Sequence, residues 1–197
     1  MNENRIILDL CGGTGSWSKP YKEAGYDVRN ITLPKYDIFN YKPPENVYGI
    51  LAAPPCTMFS FARQTAKTPR DFEGALKIVK RCMDIIWKCR LDGKLKFWAL
   101  ENPKGYLRQF LGKPYLEFSP EEYGENYTKP TDIWGYFFKP KKNKYEGELI
   151  GNGKNWNWVK NKILPDDYVL PENWTAAQAK KSMTSSKFAI AFFKANR

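Results

Sequence analysis

The chain contains no histidine in 197 residues. A Ser-His-Asp triad is thereby excluded, as is any mechanism that relies on imidazole near neutral pH. Its four cysteines, Cys11, Cys56, Cys82 and Cys89, form no Cys-x-x-Cys pair, and with no histidine beside them a zinc site is nearly excluded. A disulfide framework is not expected in a chain of this size. No apolar run is long enough to span a bilayer and no charged-then-apolar leader opens the chain, so a cytoplasmic protein without membrane contact is expected. Negative charge is scarce: 21 Asp+Glu stand against 32 Lys+Arg, a net +11. Such an excess suits a polyanionic partner, nucleic acid before membrane. The length suits one domain with a full core and a small appendage.

What the chain does carry is concentrated in Gly49-Ile50-Leu51-Ala52-Ala53-Pro54-Pro55-Cys56-Thr57-Met58-Phe59-Ser60. Apolar residues 47–52 predict a buried strand. The two prolines cannot continue a ladder, so the strand stops near Ala53. Cys56 is then held at a stiff strand end, where open α/β sheets place reactive groups. Taken alone, a cysteine reads as a small buried hydrophobe. Upstream, residues 4–10 predict another buried strand on Ile6, Ile7, Leu8 and Leu10. It runs into Asp9-Leu10-Cys11-Gly12-Gly13-Thr14-Gly15-Ser16, and a short helix follows through Lys22 and Ala24. A glycine turn placed there admits a ligand close to the backbone and the helix N-terminus, although a plain tight turn has the same pattern.

Residues 26–32 predict the second strand, and Tyr36-Asp37-Ile38 follows. Residues 61–70 hold three cations (Arg63, Lys67, Arg70) and no acid, which suits a mobile loop closing over a phosphate backbone. Asp71 is the expected N-cap of a long helix reaching about Arg90. Its apolar stripe of Phe72, Ala75, Leu76, Val79, Cys82, Met83, Ile86 and Cys89 makes Cys82 and Cys89 core residues. Residues 96–100 form the next expected strand, with Glu101-Asn102-Pro103 immediately beyond it, and residues 127–134 precede a strand through Phe138. Seven lysines lie in 139–162 against Glu146 and Glu148, with Trp156 and Trp158 among them. A base-stacking, phosphate-tracking surface and a solvated lysine loop with tryptophans tucked beneath both fit that composition. Thr175-Ala176-Ala177-Gln178 reads as a capping box, and Ser185 or Ser186 caps a last helix with an apolar face of Phe188, Ala189, Phe192 and Phe193.

The Pro-Cys-x-x-Phe-Ser segment resembles the nucleophile loop of the DNA cytosine-5 methyltransferases, and other blocks of that family's pattern flank it in the same order. Asp9, Leu10, Gly13 and Gly15 match its Asp-Leu-Phe-x-Gly-x-Gly block, with Cys11 in place of phenylalanine. Asp37-Ile38 is similar to its Gly-Asp-Ile turn, and an ordinary loop aspartate remains the other reading of Asp37. Glu101-Asn102-Pro103 resembles Glu-Asn-Val. The family's Gln-x-Arg-x-Arg falls on residues 128–132, where Asp132 stands at the last arginine and reverses its charge; Lys129 or the Thr131 hydroxyl is the candidate substitute. Arg29, Asn30 and Thr32 stand where a ribose-binding acid is expected, and no Gly-Asn-Ser-Val motif closes the chain.

The resemblance implies an α/β, S-adenosylmethionine-dependent methyltransferase (Rossmann-like) fold, a largely parallel sheet with helices on both faces. Residues 1–138 would be the catalytic core, 139–174 a short basic and aromatic insertion in place of a recognition domain, and 175–197 helices packing back on the core. It implies catalysis by Cys56 and Glu101. S-adenosyl-L-methionine would be held by Asp9, Leu10, Cys11, Gly13, Gly15, Asp37, Ile38 and Pro54. The nucleic acid would be held by Pro55, Ser60, Arg63, Asn102, Lys129 and Thr131. The implied reaction is methylation of cytosine C5 in DNA through a covalent cysteine–C6 adduct. The substrate would be a duplex with a flipped base or a single strand, in a bacterial or phage-infected cell on the nucleoid. So small an insertion implies short, relaxed specificity, a protein partner that supplies it, or an unusual substrate. A non-catalytic nucleic-acid-binding module of the same fold, and a methyltransferase of another base or of RNA, are the alternatives.

Overall fold

The computed structural model describes residues 2–63, 66–152, 157–172 and 174–197. Along the chain lie β1 (Ile6–Leu10), α1 (Lys19–Glu23), β2 (Asp27–Ile31), β3 (Val47–Ala52), α2 (Phe72–Leu91), β4 (Phe97–Pro103), α3 (Arg108–Leu111) and β5 (Leu116–Phe118). They are followed by β6 (Tyr127–Thr128), β7 (Thr131–Tyr136), β8 (Gly151–Asn152), α4 (Ala176–Ser182) and α5 (Ser186–Ala195). Six strands make one sheet in the order β2-β1-β3-β4-β7-β5. The β2, β1, β3 and β4 neighbours are parallel, and β7 runs antiparallel to both β4 and β5.

Strand alternation sorts the core into two layers. Leu8, Leu10, Ile50, Ala52 and Leu100 face α2 and meet Val79, Cys82, Ile85, Ile86 and Cys89. Ile7, Leu51, Phe97, Ala99 and Ile133 face the other way and pack with Tyr21 of α1 and Phe188, Ala189 and Phe192 of α5. Strands buried on both faces read as continuous apolar runs, which is why residues 47–52 are legible as a strand in the sequence. This is the expected Rossmann-like architecture, a largely parallel sheet with helices on both faces. Its parallel strands point their carboxyl ends at one edge, where β1 enters the glycine turn, β3 enters Pro54-Pro55-Cys56 and β4 carries Glu101.

The caps behave as local chemistry dictates. Asp71 accepts the Gly74 N–H at 2.8 Å and starts α2. Thr175 and Gln178 close a reciprocal capping box on α4, and Ser185, rather than Ser186, caps α5. Two boundaries differ from expectation. Glu101, Asn102 and Pro103 do not lie beyond β4 but inside it, paired with Ile133, Asp132 and Thr131 of β7. Residues 131–134 likewise belong to β7 instead of preceding it. Pro103 is tolerated because it is the last residue of its strand. Residues 139–150 form no regular element and are clipped along residues 121–126, with Asn143 and Tyr145 N–H groups donating to the carbonyls of Glu122 and Glu121.

Candidate active site at the carboxyl ends of the parallel strands

The turn after β1 is built around a buried carboxylate. Asp9 is fully buried; its Oδ2 accepts the Ser18 hydroxyl at 2.6 Å, and its Oδ1 has no partner. A Cβ on Gly12 would stand 2.3 Å from the Asp9 carboxyl carbon, so only glycine lets the turn close over that group. Cys11, Gly13 and Gly15 take left-handed φ values of 55°, 53° and 69°. Asp9 and Leu10 therefore lie beneath the turn, while Gly13 and Gly15 line the cleft above it. Cys11 turns toward Cys82 on α2, and the paired thiols hold the Cys82 proton well above the usual thiol range.

Burial pushes the Asp9 carboxyl up to about 7, against the opposing pull of the Ser18 hydroxyl. A carboxyl raised in the fold binds its proton more tightly there than in the unfolded chain. Its contribution is thus present below the ordinary carboxylate pKa and is lost as pH rises through about 7. Between pH 5 and 8 the urea midpoint of the wild type is expected to fall relative to Asp9→Asn, by at most about 1.4 kcal/mol of stability per pH unit. Parallel curves for the two proteins would show that Asp9 does not titrate in this way.

A cleft of about 1580 Å³ opens from this turn. One wall comes from Gly13–Ser16, Asn30 and Thr32–Tyr36; the other comes from residues 161–169 and 183–184, brought across by the bond from Thr184 N–H to Ser16 Oγ at 2.9 Å. Asn30 lies near the end of β2, where the resemblance leads one to expect a ribose-binding acid. Its Nδ2 donates to the Gly13 carbonyl at 2.9 Å, and its Oδ1 is a buried acceptor without a partner. An unsatisfied acceptor in a cleft wall fits a ligand hydroxyl. Asp37 is exposed and spends Oδ1 on the Phe39 N–H at 2.9 Å, and Ile38 is buried in the α2-side core; of that turn, Tyr36 lines the cleft.

The nucleophile loop is tightly wound. Phe59 and Ser60 N–H groups both donate to the Cys56 carbonyl, at 2.9 and 2.8 Å. Buried Asn102 reaches across from β4 to the Pro54 carbonyl at 3.0 Å, fixing the segment that carries Cys56. Burial raises the Cys56 thiol above its ordinary value; Lys129 pulls it back down and Glu101 pushes it up. The Glu101 carboxyl is itself raised by burial, with Lys129 opposing and Asp132 reinforcing. Cys56, Glu101 and Lys129 thus share one electrostatic neighbourhood.

Of Lys129 and Thr131, the two residues that the resemblance offers in place of an arginine, Lys129 is the one whose charge acts on both groups. The Thr131 hydroxyl is buried and donates to the Lys129 carbonyl at 2.7 Å, and Lys129 N–H donates to Ser119 Oγ at 3.1 Å. Both bonds pin the lysine backbone. Asp132 is buried, and its two oxygens are gripped by the Arg108 guanidinium, which also meets Glu117 at 2.8 Å. The remaining predicted contacts are distributed along the rim. Pro55 is exposed, Ser60 Oγ accepts the Ala62 N–H, and Arg63 donates to Thr68 and Pro69 of its own loop. Trp158 is buried and stacks on Tyr127 at 4.2 Å, with Lys162 over both rings, so it is tucked under the basic segment instead of offered to a base. Lys154 and Trp156 lie outside the described residues.

Arg108 and Lys162 carry no sequence signal for these roles, since each meets its partners across long stretches of chain. Lys162 also lines the cleft, and its ammonium group is lowered by burial, with Glu125 opposing and Lys129 adding to the shift. Among the described residues no group of His, Cys, Asp or Glu side chains is arranged to hold a metal ion, and no helix is long and apolar enough to cross a membrane.

No protein-family model matches the chain, and no curated protein matches its sequence. Several solved structures are similar to it. One, assigned as a DNA modification methyltransferase encoded within an E. coli prophage, shares 14% identity at a TM-score of 0.46, over 66% of this chain and 46% of its own. An Entamoeba histolytica methyltransferase, EhMeth, shares 11% at 0.38, over 73% and 57%. A mutant of Spodoptera frugiperda DNMT2 shares 19% at 0.40, over 85% and 57%. The chain therefore spans about half the length of these proteins. At these identities and scores the likeness says nothing of what this chain binds or transforms.

Proposed function

We propose that the chain methylates C5 of cytosine in DNA, using S-adenosyl-L-methionine and a transient covalent bond from Cys56 Sγ to C6. The observation that carries this reading is the placement of Cys56 and Glu101 at the carboxyl ends of the adjacent parallel strands β3 and β4, with Lys129 acting on both. The glycine-turn cleft and the unpartnered Asn30 acceptor fit the cofactor, with Gly13, Gly15, Asn30 and Tyr36 as its holders. When bound, S-adenosylmethionine supplies an electrophilic methyl group.

The protein's own part begins with the Cys56 proton. Burial disfavours the thiolate and the Lys129 charge favours it; the thiol proton passes to water as Sγ becomes the nucleophile. Addition of Sγ to C6 turns C5 into an enamine-like carbon, which divides one hard step into two easier ones. Glu101, whose carboxyl is raised by burial, shares a proton with N3 and offsets the charge that builds on the ring. The C5 proton then leaves to water, since the chain offers no imidazole, and loss of Sγ restores the aromatic ring. Asp132 does not oppose this chemistry with a bare charge, because Arg108 occupies it.

An oligonucleotide carrying 5-fluorocytosine tests the reading. With S-adenosylmethionine present, the wild type should form an adduct that survives denaturing electrophoresis; a wild type that forms none would overturn the covalent route. Glu101→Gln should slow methyl transfer by about 10²-fold or more, because an amide N–H can donate a hydrogen bond but is too weak an acid to give up its proton. Normal rates in that variant would leave Glu101 a structural residue.

Residues 139–174 bear on specificity. Lys139, Lys141, Lys142 and Lys144 are exposed on a segment with no regular structure, a surface suited to phosphates more than to base edges. Methylation is therefore expected in a context of at most about two or three base pairs. Changing these four lysines to alanine should weaken DNA binding equally across sequences and reduce the salt slope by about 0.9 for each phosphate that is no longer neutralised. A fixed recognition site of about five or more base pairs in bisulfite mapping would contradict it.

A further inference from the structure

The rim beside Cys56 carries an aromatic shelf that the chemistry above does not use. The turn Phe61–Arg63 follows the nucleophile loop, and Tyr106 follows β4. An antiparallel bridge between Ser60 and Gly105, and a bond from Tyr106 N–H to the Phe59 carbonyl at 2.8 Å, hold the two segments together. So close an approach requires glycine at 105, where a Cβ would stand 2.3 Å from that carbonyl oxygen. The Phe61 and Tyr106 rings meet edge to face at 5.0 Å, yet remain 43% and 39% exposed. Phe72 supports Tyr106 from below at 5.9 Å and rests on the buried Phe59, which makes the shelf stiff.

Two guanidinium groups flank it. Arg70 lies over the Tyr106 ring at 4.9 Å and donates to the carbonyls of Met58 and Ser60; Arg63 donates to Thr68 and Pro69. Arg29 and Arg108 are met by carboxylates, but among the described residues no carboxylate pairs with Arg63 or Arg70. Their hydrogen bonds fix their positions while leaving the charge unneutralised. Stiff, partly exposed aromatic rings beside fixed positive charge match a stacked base and its phosphate.

We propose that this shelf stacks an unpaired base next to the target cytosine, so that the substrate is single-stranded DNA rather than intact duplex. The proposal rests on the cytosine reading of Cys56 and deepens it. A duplex covers its base faces with neighbouring pairs and offers only edges in its grooves. Reading those edges takes a helix or a strand pair that enters the groove. Among the described residues of 139–174 there is only the two-residue β8 and the turn Asn157–Asn161, whose Trp158 is packed inward. Unpaired bases expose their faces whatever their identity, and aromatic rings hold them without regard to sequence.

Fluorescence anisotropy of the full chain with a labelled 5-fluorocytosine oligonucleotide, alone and annealed to its complement, tests this. The single strand should bind at least about tenfold tighter, a difference of about 1.4 kcal/mol. Phe61→Leu and Tyr106→Leu keep apolar bulk but lose the ring face; each should weaken single-strand binding about tenfold and leave duplex binding within about twofold. Tyr106→Phe should bind like the wild type, and thermal melts establish that the variants are folded. Equal affinity for duplex and single strand, or leucine variants that bind the single strand normally, would overturn the shelf. So would tighter binding of the matching RNA strand. Adduct formation on the same oligonucleotides separates the two readings. Adducts without single-strand preference sink the shelf and leave Cys56 intact; shelf-dependent binding without any adduct sinks the Cys56 chemistry alone.

Discussion

Cys56→Ala is expected to bring methyl transfer below detection while leaving S-adenosylmethionine affinity within a few-fold, as read by transfer of labelled methyl to DNA and by calorimetry. The residue lies in the loop that follows β3, apart from the cleft-lining set, so removing one sulfur should not disturb the cofactor's proposed holders. The other cysteines offer no substitute. Cys82 and Cys89 are buried on α2 against the sheet, and Cys11 is turned toward Cys82. Cys82→Ala and Cys89→Ala should each cost about 1–2 kcal/mol of stability, the lost transfer energy plus a small cavity, with activity intact in the folded fraction. Normal turnover by Cys56→Ala would remove the nucleophile from the mechanism and the covalent step with it.

The parts of this fold legible in the sequence are those where a local pattern and the tertiary environment agree. The twenty residues of α2 carry a full apolar stripe and an aspartate cap, and residues 47–52 are a closed apolar run ended by proline. The β4 boundary fails because Glu101 and Asn102 are polar, and polarity at a strand end reads as a turn. Pairing with the antiparallel β7 is what keeps them in the ladder, and that pairing is set by residues about thirty positions away. Strand β5 and helix α3 have three and four residues, too few for any period to register. The site is half legible for the same reason. Motif spacing brings out Cys56 and Glu101, but the far wall of the cleft at 161–169 has no motif, and its lysine acquires a role only when Tyr127 and Trp158 stack beneath it. Asp132 is the sharpest case. Read along the chain it stands where the resemblance expects an arginine; in the fold its charge is answered by Arg108 from another element.

Arg108→Ala is expected to be the most destabilising of the polar substitutions near the site. Asp132 has a side chain only 1% exposed, and Arg108 grips both its oxygens in a bidentate pair. Truncating the arginine leaves a buried carboxylate without its counter-charge, a loss measured elsewhere at about 3–5 kcal/mol. The Arg108 side chain is itself 26% exposed, so water enters the vacated space and the low end, about 3 kcal/mol, applies. For a chain of this size that corresponds to a fall in Tm of about 6–12 °C. The damage should also reach the candidate site, because Asp132 pairs across the ladder with Asn102, whose amide holds the Pro54 carbonyl ahead of Cys56. Urea denaturation at neutral pH checks the stability, and a loss below about 1 kcal/mol would show the pair to be no stronger than a surface bridge. The origin of the cost is separable. If it arises from the orphaned charge, Arg108→Met combined with Asp132→Leu should recover most of the stability, since apolar residues of similar volume often replace a buried ion pair without loss. A double variant as unstable as Arg108→Ala would place the energy in the geometry of the arginine bridge between β5 and β7, through Glu117 and Asp132, and not in the buried carboxylate.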